Sequence, residues 1–136
     1  MRRLFLDTNV VLDFLAKRKG FYEYAAKIIS LPDNGEDILL LCSSLTFANA
    51  NYILTHLVGK DLSRRLLSDF FNRCTITNVT NADVASALSS QFKDFEDALQ
   101  YYSALHSYSD VIITRNKKDF SFSEIPVLEP KELFET

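Results

Sequence analysis

The chain alternates short apolar segments with longer segments in which apolar residues recur at helical spacing. Apolar segments at 4–6, 38–42 and 111–114 are typical of strands buried on both faces, and weaker strand patterns occupy 75–79 and 126–128. Helical patterns separate the first four strands, in the order β-α-α-β-α-α-β-α-α-β-β-α. A chain that returns after its helices to add another strand builds a mostly parallel sheet. We therefore predict an α/β fold in which helices cover both faces of that sheet.

The size and composition indicate one globular domain. The 136 residues are 47% hydrophobic and 24% charged, with a net charge of −3, which predicts a single domain over residues 1–136 with its own core. No apolar run is long enough to span a membrane, and the N-terminal run is too short for a signal peptide. We therefore expect a cytoplasmic protein, in which Cys42 and Cys74 are reduced core thiols rather than a disulfide.

Acidic residues occur where predicted elements begin or end. Asp7 directly follows the first strand, at the carboxyl edge of the sheet where open α/β proteins bind ligands. Asp94 and Asp97 are three residues apart at the predicted start of a helix, so both carboxylates lie on one face of its first turn. Each acid also has a structural interpretation, as a helix cap or, like Glu96, as compensation for the helix dipole. Their joint placement at one edge of the sheet favours a site.

The loop after the strand at 111–114 carries the remaining polar candidates. Asn116 and Asp119 leave this strand at the same edge as Asp7. Oxygen donors with no His or Cys among them suit Mg²⁺ or Mn²⁺ rather than zinc, and such a cation favours phosphodiester hydrolysis. Neighbouring cations would then hold a nucleic-acid backbone; the structural alternatives are a turn for Asp119 and a solvated loop for the cations. These cations are Arg115, Lys117 and Lys118.

Four segments of the chain together resemble the PIN domain nucleases. They are Leu-Asp-Thr-Asn at 6–9, Ser-Leu-Thr-Phe-Ala-Asn at 44–49, Asp-Phe-Glu-Asp-Ala-Leu at 94–99 and Ile-Thr-Arg-Asn-Lys-Lys-Asp-Phe at 113–120. The resemblance covers nearly the whole chain, and the last two segments are its most specific part. It implies a Rossmann-like, three-layer α/β/α fold and Mg²⁺- or Mn²⁺-dependent endoribonuclease activity. It also implies the role of toxin in a toxin–antitoxin pair, with RNA as the substrate and an antitoxin protein as a partner.

The resemblance also implies roles for individual residues. Asp7 and Asp97 match the family's metal-binding acids, and Asn116 and Asp119 match its final cluster of catalytic and metal-binding residues. Asp94 would assist these catalytic residues. The supporting positions are Thr8, Asn9, Asn49 and Thr114.

One position departs from the family pattern. The middle motif usually ends in Glu, and here Asn49 stands at that place, in a stretch from 38 to 60 that contains no Asp or Glu. An amide oxygen binds a hard cation but brings no charge, which predicts weaker metal binding and reduced activity. The alternative function is a PIN-like module that binds RNA or an antitoxin but is catalytically weakened or inactive. A phosphatase of the haloacid dehalogenase type is disfavoured, because Asn9 stands where its second Asp belongs.

Four further expectations concern the folded protein. Asn49 should face the same pocket as Asp7 and Asp97. Carboxylates held together without a metal repel one another, so at least one of them should titrate above its ordinary value. The apolar stripe of the helix at 62–71 should lie in the core. Helices rich in phenylalanine and tyrosine offer apolar surface for pairing, which predicts a homodimer.

Overall fold

In the computed structural model, which describes residues 1–135, six α-helices pack around a five-stranded sheet. The strands are β1 (Arg2–Leu6), β2 (Ile38–Ser43), β3 (Thr75–Thr77), β4 (Val111–Ile113) and β5 (Val127–Leu128). The helices are α1 (Thr8–Leu15), α2 (Tyr22–Ser30), α3 (Ser44–Val58), α4 (Lys60–Phe71), α5 (Asn81–Leu88) and α6 (Phe95–His106). Short 3₁₀ helices at Lys117–Phe120 and Glu132–Phe134 flank β5.

The sheet is parallel throughout, in the order β3-β2-β1-β4-β5. The first strand is central, because Leu4 pairs with Leu40 of β2 on one side and with Val111 of β4 on the other. The chain thus builds outward from β1 to β3, then crosses to the other side of β1 for β4 and β5. A crevice at such a reversal is where open α/β sheets bind ligands. The predicted α/β fold with a parallel sheet is confirmed.

The two faces of β1 explain why its apolar pattern is continuous. Leu4 and Leu6 belong to a large buried cluster with residues of α1, α2, α3 and α4, whereas Phe5 packs on the opposite face against Tyr101 and Ala104 of α6. Alternate residues of a strand point to opposite faces, so a strand covered on both sides is apolar at every position. The layers are therefore α/β/α, as the sequence predicts.

The outer helix α4 differs from the prediction. Phe70 is buried, but Phe71 is 57% exposed and Leu62 is 37% exposed, so only part of the expected stripe lies in the core. The reason is that α4 packs chiefly against one neighbouring helix, α3, and a helix with a single neighbour buries only a narrow face. The two cysteines are free thiols, as predicted, with their Sγ atoms 3.6 Å apart. None of the described helices combines the length and apolar character needed to cross a bilayer.

Candidate active site

Asp7 lies at the carboxyl end of the central strand and is only 6% exposed. As the N-cap of α1, its Oδ1 accepts a hydrogen bond from the backbone N–H of Thr8 at 2.8 Å. Its Oδ2 accepts hydrogen bonds from Thr114 Oγ1 at 2.8 Å and Asn9 Nδ2 at 3.3 Å. Because Thr114 directly follows β4, the neighbouring strand fixes the orientation of this carboxylate. The capping role and a ligand role therefore coincide in one side chain.

The environment of Asp7 disfavours its charged form. Burial raises the pKa of Asp7 above its ordinary value, while the hydrogen bonds from Thr114 and Thr8 oppose this shift. The negative charges of Asp119 and Asp94 raise the pKa further. A carboxylate kept in a dry position among like charges is typical of a functional site, because folding alone gains nothing from that arrangement.

The first turn of α6 supplies the second group of acids. Asp94 is the N-cap of this helix, and its Oδ1 accepts a hydrogen bond from the backbone N–H of Asp97 at 3.0 Å. Burial and the negative charges of neighbouring acids together raise the pKa of Asp97 to about 7. After burial, the contributing charges are, in decreasing order, those of Asp7, Asp94, Asp119 and Glu96. The prediction that at least one carboxylate titrates above its ordinary value is confirmed.

The loop after β4 brings a third segment to this edge. Asp119 is exposed in the 3₁₀ helix, and its charge raises the pKa of both Asp7 and Asp97. Asn116 is also exposed, and its backbone N–H donates to Thr114 Oγ1 at 3.1 Å. Within residues 1–135 the side-chain amide of Asn116 makes no hydrogen bond. The structure thus places Asp119 with the other acids and leaves the Asn116 side chain at the rim.

Asn49 reaches the start of α6 from α3. Its Nδ2 donates a hydrogen bond to Glu96 Oε1, and burial together with the charges of Asp94 and Asp7 raises the pKa of Glu96. Asn49 therefore contacts an acid of the site. The sequence reasoning treated Glu96 only as compensation for the helix dipole. Three acids within the four residues 94–97 were the available indication of a larger role. Together these residues form the acidic cluster: Asp7, Asp94, Glu96, Asp97 and Asp119.

The three predicted RNA-binding cations have different environments. Arg115 donates from Nε and Nη2 to Asp13 at 2.7 and 3.1 Å, and its guanidinium lies 4.0 Å from the centroid of the Phe21 ring. Since Asp13 is buried, Arg115 neutralises an interior charge, which favours a structural role for this arginine, and its RNA contact stays a prediction. Lys117 Nζ lies 3.0 Å from a carboxylate oxygen of Glu132. Lys118 is exposed and has no ion-pair partner within residues 1–135.

A buried polar network lies beside Asp7. Gln100 of α6 is 1% exposed, and its Nε2 donates to Thr8 Oγ1 at 3.0 Å and Thr46 Oγ1 at 2.8 Å. Its Oε1 accepts from Ser43 Oγ at 2.6 Å. Thr8 was among the predicted supporting residues, but the other three were not. An amide on an otherwise apolar helix face was the one indication that the sequence offered.

The cluster suits a hard divalent cation in charge and donor type. Among residues 1–135, no three or more His, Cys, Asp and Glu side chains are already assembled as a set of metal ligands. Every candidate ligand nevertheless offers oxygen, which Mg²⁺ and Mn²⁺ prefer. The mutual repulsion that raises the pKa of Asp97 is the kind that a bound cation offsets. The residues present therefore fit such a group.

A parallel sheet that gathers acids at the carboxyl end of its central strand is an α/β fold of the ligand-binding type. The family model for the PIN domain matches residues 3–118 of this chain. The chain belongs to the PIN domain family, as its four motifs indicated.

Similar proteins agree with this family. Ribonuclease VapC1 of Aquifex aeolicus (strain VF5) is 30% identical over 139 residues, which cover 98% of this chain and 94% of the relative. The structure of VapBC2 from Rickettsia felis bound to a promoter DNA fragment has a TM-score of 0.69 at 17% identity, covering 93% of this chain and 97% of that one. A toxin–antitoxin complex from Klebsiella pneumoniae has a TM-score of 0.67 at 23% identity, with the same coverage.

Proposed function

We propose that this protein is an Mg²⁺- or Mn²⁺-dependent endoribonuclease that acts as the toxin of a toxin–antitoxin pair. One observation carries the proposal: Asp7, Asp97 and Asp119 come from three separate segments, yet the charges of Asp7 and Asp119 both raise the pKa of Asp97. Carboxylates so close at the crevice of a parallel sheet suit a metal-binding nuclease centre. The relative named as a ribonuclease, which covers nearly the whole chain, supports RNA as the substrate.

The acids have separable roles in this proposal. Asp7 and Asp97 would bind the cation, with Asp119 and the amide oxygen of Asn116 at the rim, and Asp94 would assist them as a further negative charge. A bound Mg²⁺ or Mn²⁺ supplies an activated water and neutralises charge that develops on the phosphate.

The chain's own hydrogen bonds orient the most buried of these acids. Thr114 and Asn9 both donate to Oδ2 of Asp7, and Thr114 in turn accepts from Asn9 Nδ2 at 3.2 Å. This arrangement holds one carboxylate in a single orientation before substrate arrives, which lowers the cost of assembling the site. Asn49 does the same for Glu96 through its hydrogen bond.

RNA contact falls to the cations of the loop after β4. We assign the backbone contact chiefly to Lys118, which is exposed beside Asp119, and secondarily to Lys117, whose exposed pair with Glu132 costs little to exchange. Arg115 is left out of this assignment because its guanidinium is paired with Asp13.

The proposal extends to partners and surroundings. The toxin–antitoxin complexes of similar fold support an antitoxin protein as a partner. We also infer a homodimer, because large apolar side chains are exposed on α3 and α4, among them Tyr52 at 69%, Leu57 at 61% and Phe71 at 57%. A single domain over residues 1–136 and a cytoplasmic location complete the proposal; residue 136 lies outside the described residues.

The test is cleavage of mixed RNA by the purified protein with Mn²⁺ or with EDTA. The proposal expects cleavage only with Mn²⁺, and expects Asp7→Asn to abolish it. Asp69→Asn is the matched control, since Asp69 is an exposed acid of α4 whose charge is not among the causes that raise the pKa of Asp7, Glu96 or Asp97. Metal-independent cleavage, or equal cleavage by both variants, would contradict the proposal. RNA binding without cleavage would indicate the catalytically inactive module instead.

A further inference from the structure

Three helices carry the side chains of the acidic cluster nearest the central strand and their neighbour Asn49. Asp7 precedes α1, Asn49 lies in α3, and Asp97 lies in the first turn of α6. Their relative positions must be held to a fraction of an ångström for the cluster to act as one site. Asp7 is bonded to Thr114, but no direct hydrogen bond joins Asp7 to Asp97 within residues 1–135. Another contact must therefore fix α6 relative to α1.

Gln100 makes that contact. It lies three residues after Asp97, on the same face of α6. Its two amide hydrogens are both used, one by Thr8 Oγ1 at the start of α1 and one by Thr46 Oγ1 in the first turn of α3. Its carbonyl oxygen accepts from Ser43, the N-cap of α3. One buried side chain in the second turn of α6 thus joins this helix to the starts of α1 and α3.

Each member of the network has a hydrogen-bond partner, and three of the four are buried, while Thr8 is half-buried. The hydroxyl groups of Thr8 and Thr46 lie 2.9 Å apart, and Ser43 Oγ accepts a hydrogen bond from the backbone N–H of Thr46 at 3.2 Å. Gln100, Ser43 and Thr46 are at most 1% exposed. Such a network favours one arrangement of its buried members, because a shift of Gln100, Ser43 or Thr46 leaves a buried polar atom without a partner.

We propose that Gln100 is the positioning residue that holds Asp97 and its helix in register with Asp7. The expected effect on metal binding rests on the proposed function. The positioning of α6 by Gln100 rests on the hydrogen bonds alone. Gln100 itself touches neither the cation nor the substrate. Its loss should separate the acids and weaken metal binding without removing any ligand.

The principal variant is Gln100→Met, which keeps the length of the side chain and removes all three hydrogen bonds. The matched control is Ser103→Ala, one turn further along α6. Ser103 is also fully buried, and its Oγ bonds Thr77 Oγ1 at 2.6 Å and the Asn78 carbonyl at 3.0 Å, tying the same helix to β3 away from the acids. Both variants should lower the melting temperature. We expect only Gln100→Met to weaken Mn²⁺ binding, by about tenfold in titration calorimetry, and to lower kcat for RNA more than it changes KM.

A second pair of variants applies if Gln100→Met does not fold. Thr46→Val removes one hydroxyl of the network at constant shape, and Thr46→Ser retains it. The proposal expects weaker Mn²⁺ binding in the valine variant and recovery in the serine variant. Equal affinities in the two would overturn it.

Amide hydrogen exchange separates this inference from the proposed function. Gln100→Met should accelerate exchange at Thr8 and Ala98, in the first turns of α1 and α6, and Ser103→Ala should not. This measurement needs no metal, so it decides the role of Gln100 even if the wild-type protein binds no Mn²⁺ and the proposed function fails. Wild-type exchange at both amides in Gln100→Met would overturn the inference.

Discussion

Replacing Asn49 with Glu tests how the acidic cluster balances its charge. The Asn49 amide now donates a hydrogen bond to Glu96, and the exchange puts a second carboxylate against the first. A hydrogen bond to a charged group contributes about 1.5–3 kcal/mol in dry surroundings, and about 1 kcal/mol is reasonable for the exposed Glu96. Two like charges about 4 Å apart in water-like surroundings add roughly 1 kcal/mol of repulsion. The metal-free Asn49→Glu protein should therefore unfold with a free energy about 1–2 kcal/mol below wild type.

Bound metal should reverse this effect. The new carboxylate offers a charged oxygen where the amide offers none, so Mn²⁺ binding should tighten about tenfold, equivalent to ~1.4 kcal/mol. RNA cleavage should rise with it. Urea unfolding at pH 8 without metal gives the first quantity, and titration calorimetry with Mn²⁺ gives the second.

The matched control is Asn49→Gln, which has the length of Glu but keeps the neutral amide. Its metal-free stability and its Mn²⁺ affinity should both stay much closer to wild type than those of Asn49→Glu. The difference in metal-free stability between Asn49→Glu and Asn49→Gln should also shrink toward pH 4, where carboxylates gain protons. Equal Mn²⁺ affinity in Asn49→Glu and wild type, together with unchanged stability, would refute the reasoning that Asn49 contacts the acidic cluster.

Three further predictions concern the charges and the surface. The pKa of Asp97 in the folded protein is raised to about 7 from 3.8, so the folded protein binds more protons than the unfolded chain between these pH values. The free energy of unfolding without metal should therefore fall as the pH rises from about 4 to 7. Urea titrations at several pH values should show that Asp97→Asn removes about 1–2 kcal/mol of that fall, after allowance for the partial exposure of Asp97. Arg115→Met should destabilise the protein by about 2–3 kcal/mol because, among the residues that the structure describes, the buried Asp13 then keeps an ion pair with Arg18 alone, 3.6 Å away. Lys118→Ala should leave the melting temperature unchanged and weaken RNA binding in filter assays. Light scattering at high micromolar concentration should give the mass of a dimer, and a monomer would count against the homodimer.

The sheet could be predicted from sequence because each buried strand is recognisable from the apolar pattern of its own segment. Strand positions covered on both faces must be apolar, and residues 4–6 of β1, 38–42 of β2 and the whole of β4 are. The alternation of helices and strands then leaves few topologies, because crossovers between parallel strands have one hand. The placement of Asp7 and Asp97 could be predicted for the same reason, since a residue after a strand or at a helix start lies at a known edge of the sheet.

The side-chain partners within the site could not be predicted in this way. Arg115 and Asp13 are 102 positions apart, Gln100 and Thr8 are 92 apart, and Asn49 and Glu96 are 47 apart. Periodicity reports which face of an element is buried, but it does not report which distant side chain lies opposite. A loop arginine therefore predicted an RNA contact, although a buried carboxylate on α1 holds it.

Asp94 shows how a structural and a functional interpretation of one residue can be separated. Its Oδ1 caps α6, and its charge raises the pKa of Asp97, Asp7 and Glu96. Serine caps helices about as well as aspartate but carries no charge, whereas alanine does neither and costs about 1 kcal/mol. Asp94→Ser should therefore match or exceed wild-type stability without metal, lower the pKa of Asp97 measured by carbon NMR, and weaken Mn²⁺ binding. Asp94→Ala should lower that pKa similarly but lose the cap and about 1 kcal/mol of stability. If Asp94→Ser keeps wild-type stability, Asp94→Ala loses about 1 kcal/mol, and the pKa of Asp97 moves in neither variant, Asp94 is a cap alone and has no part in the acidic cluster.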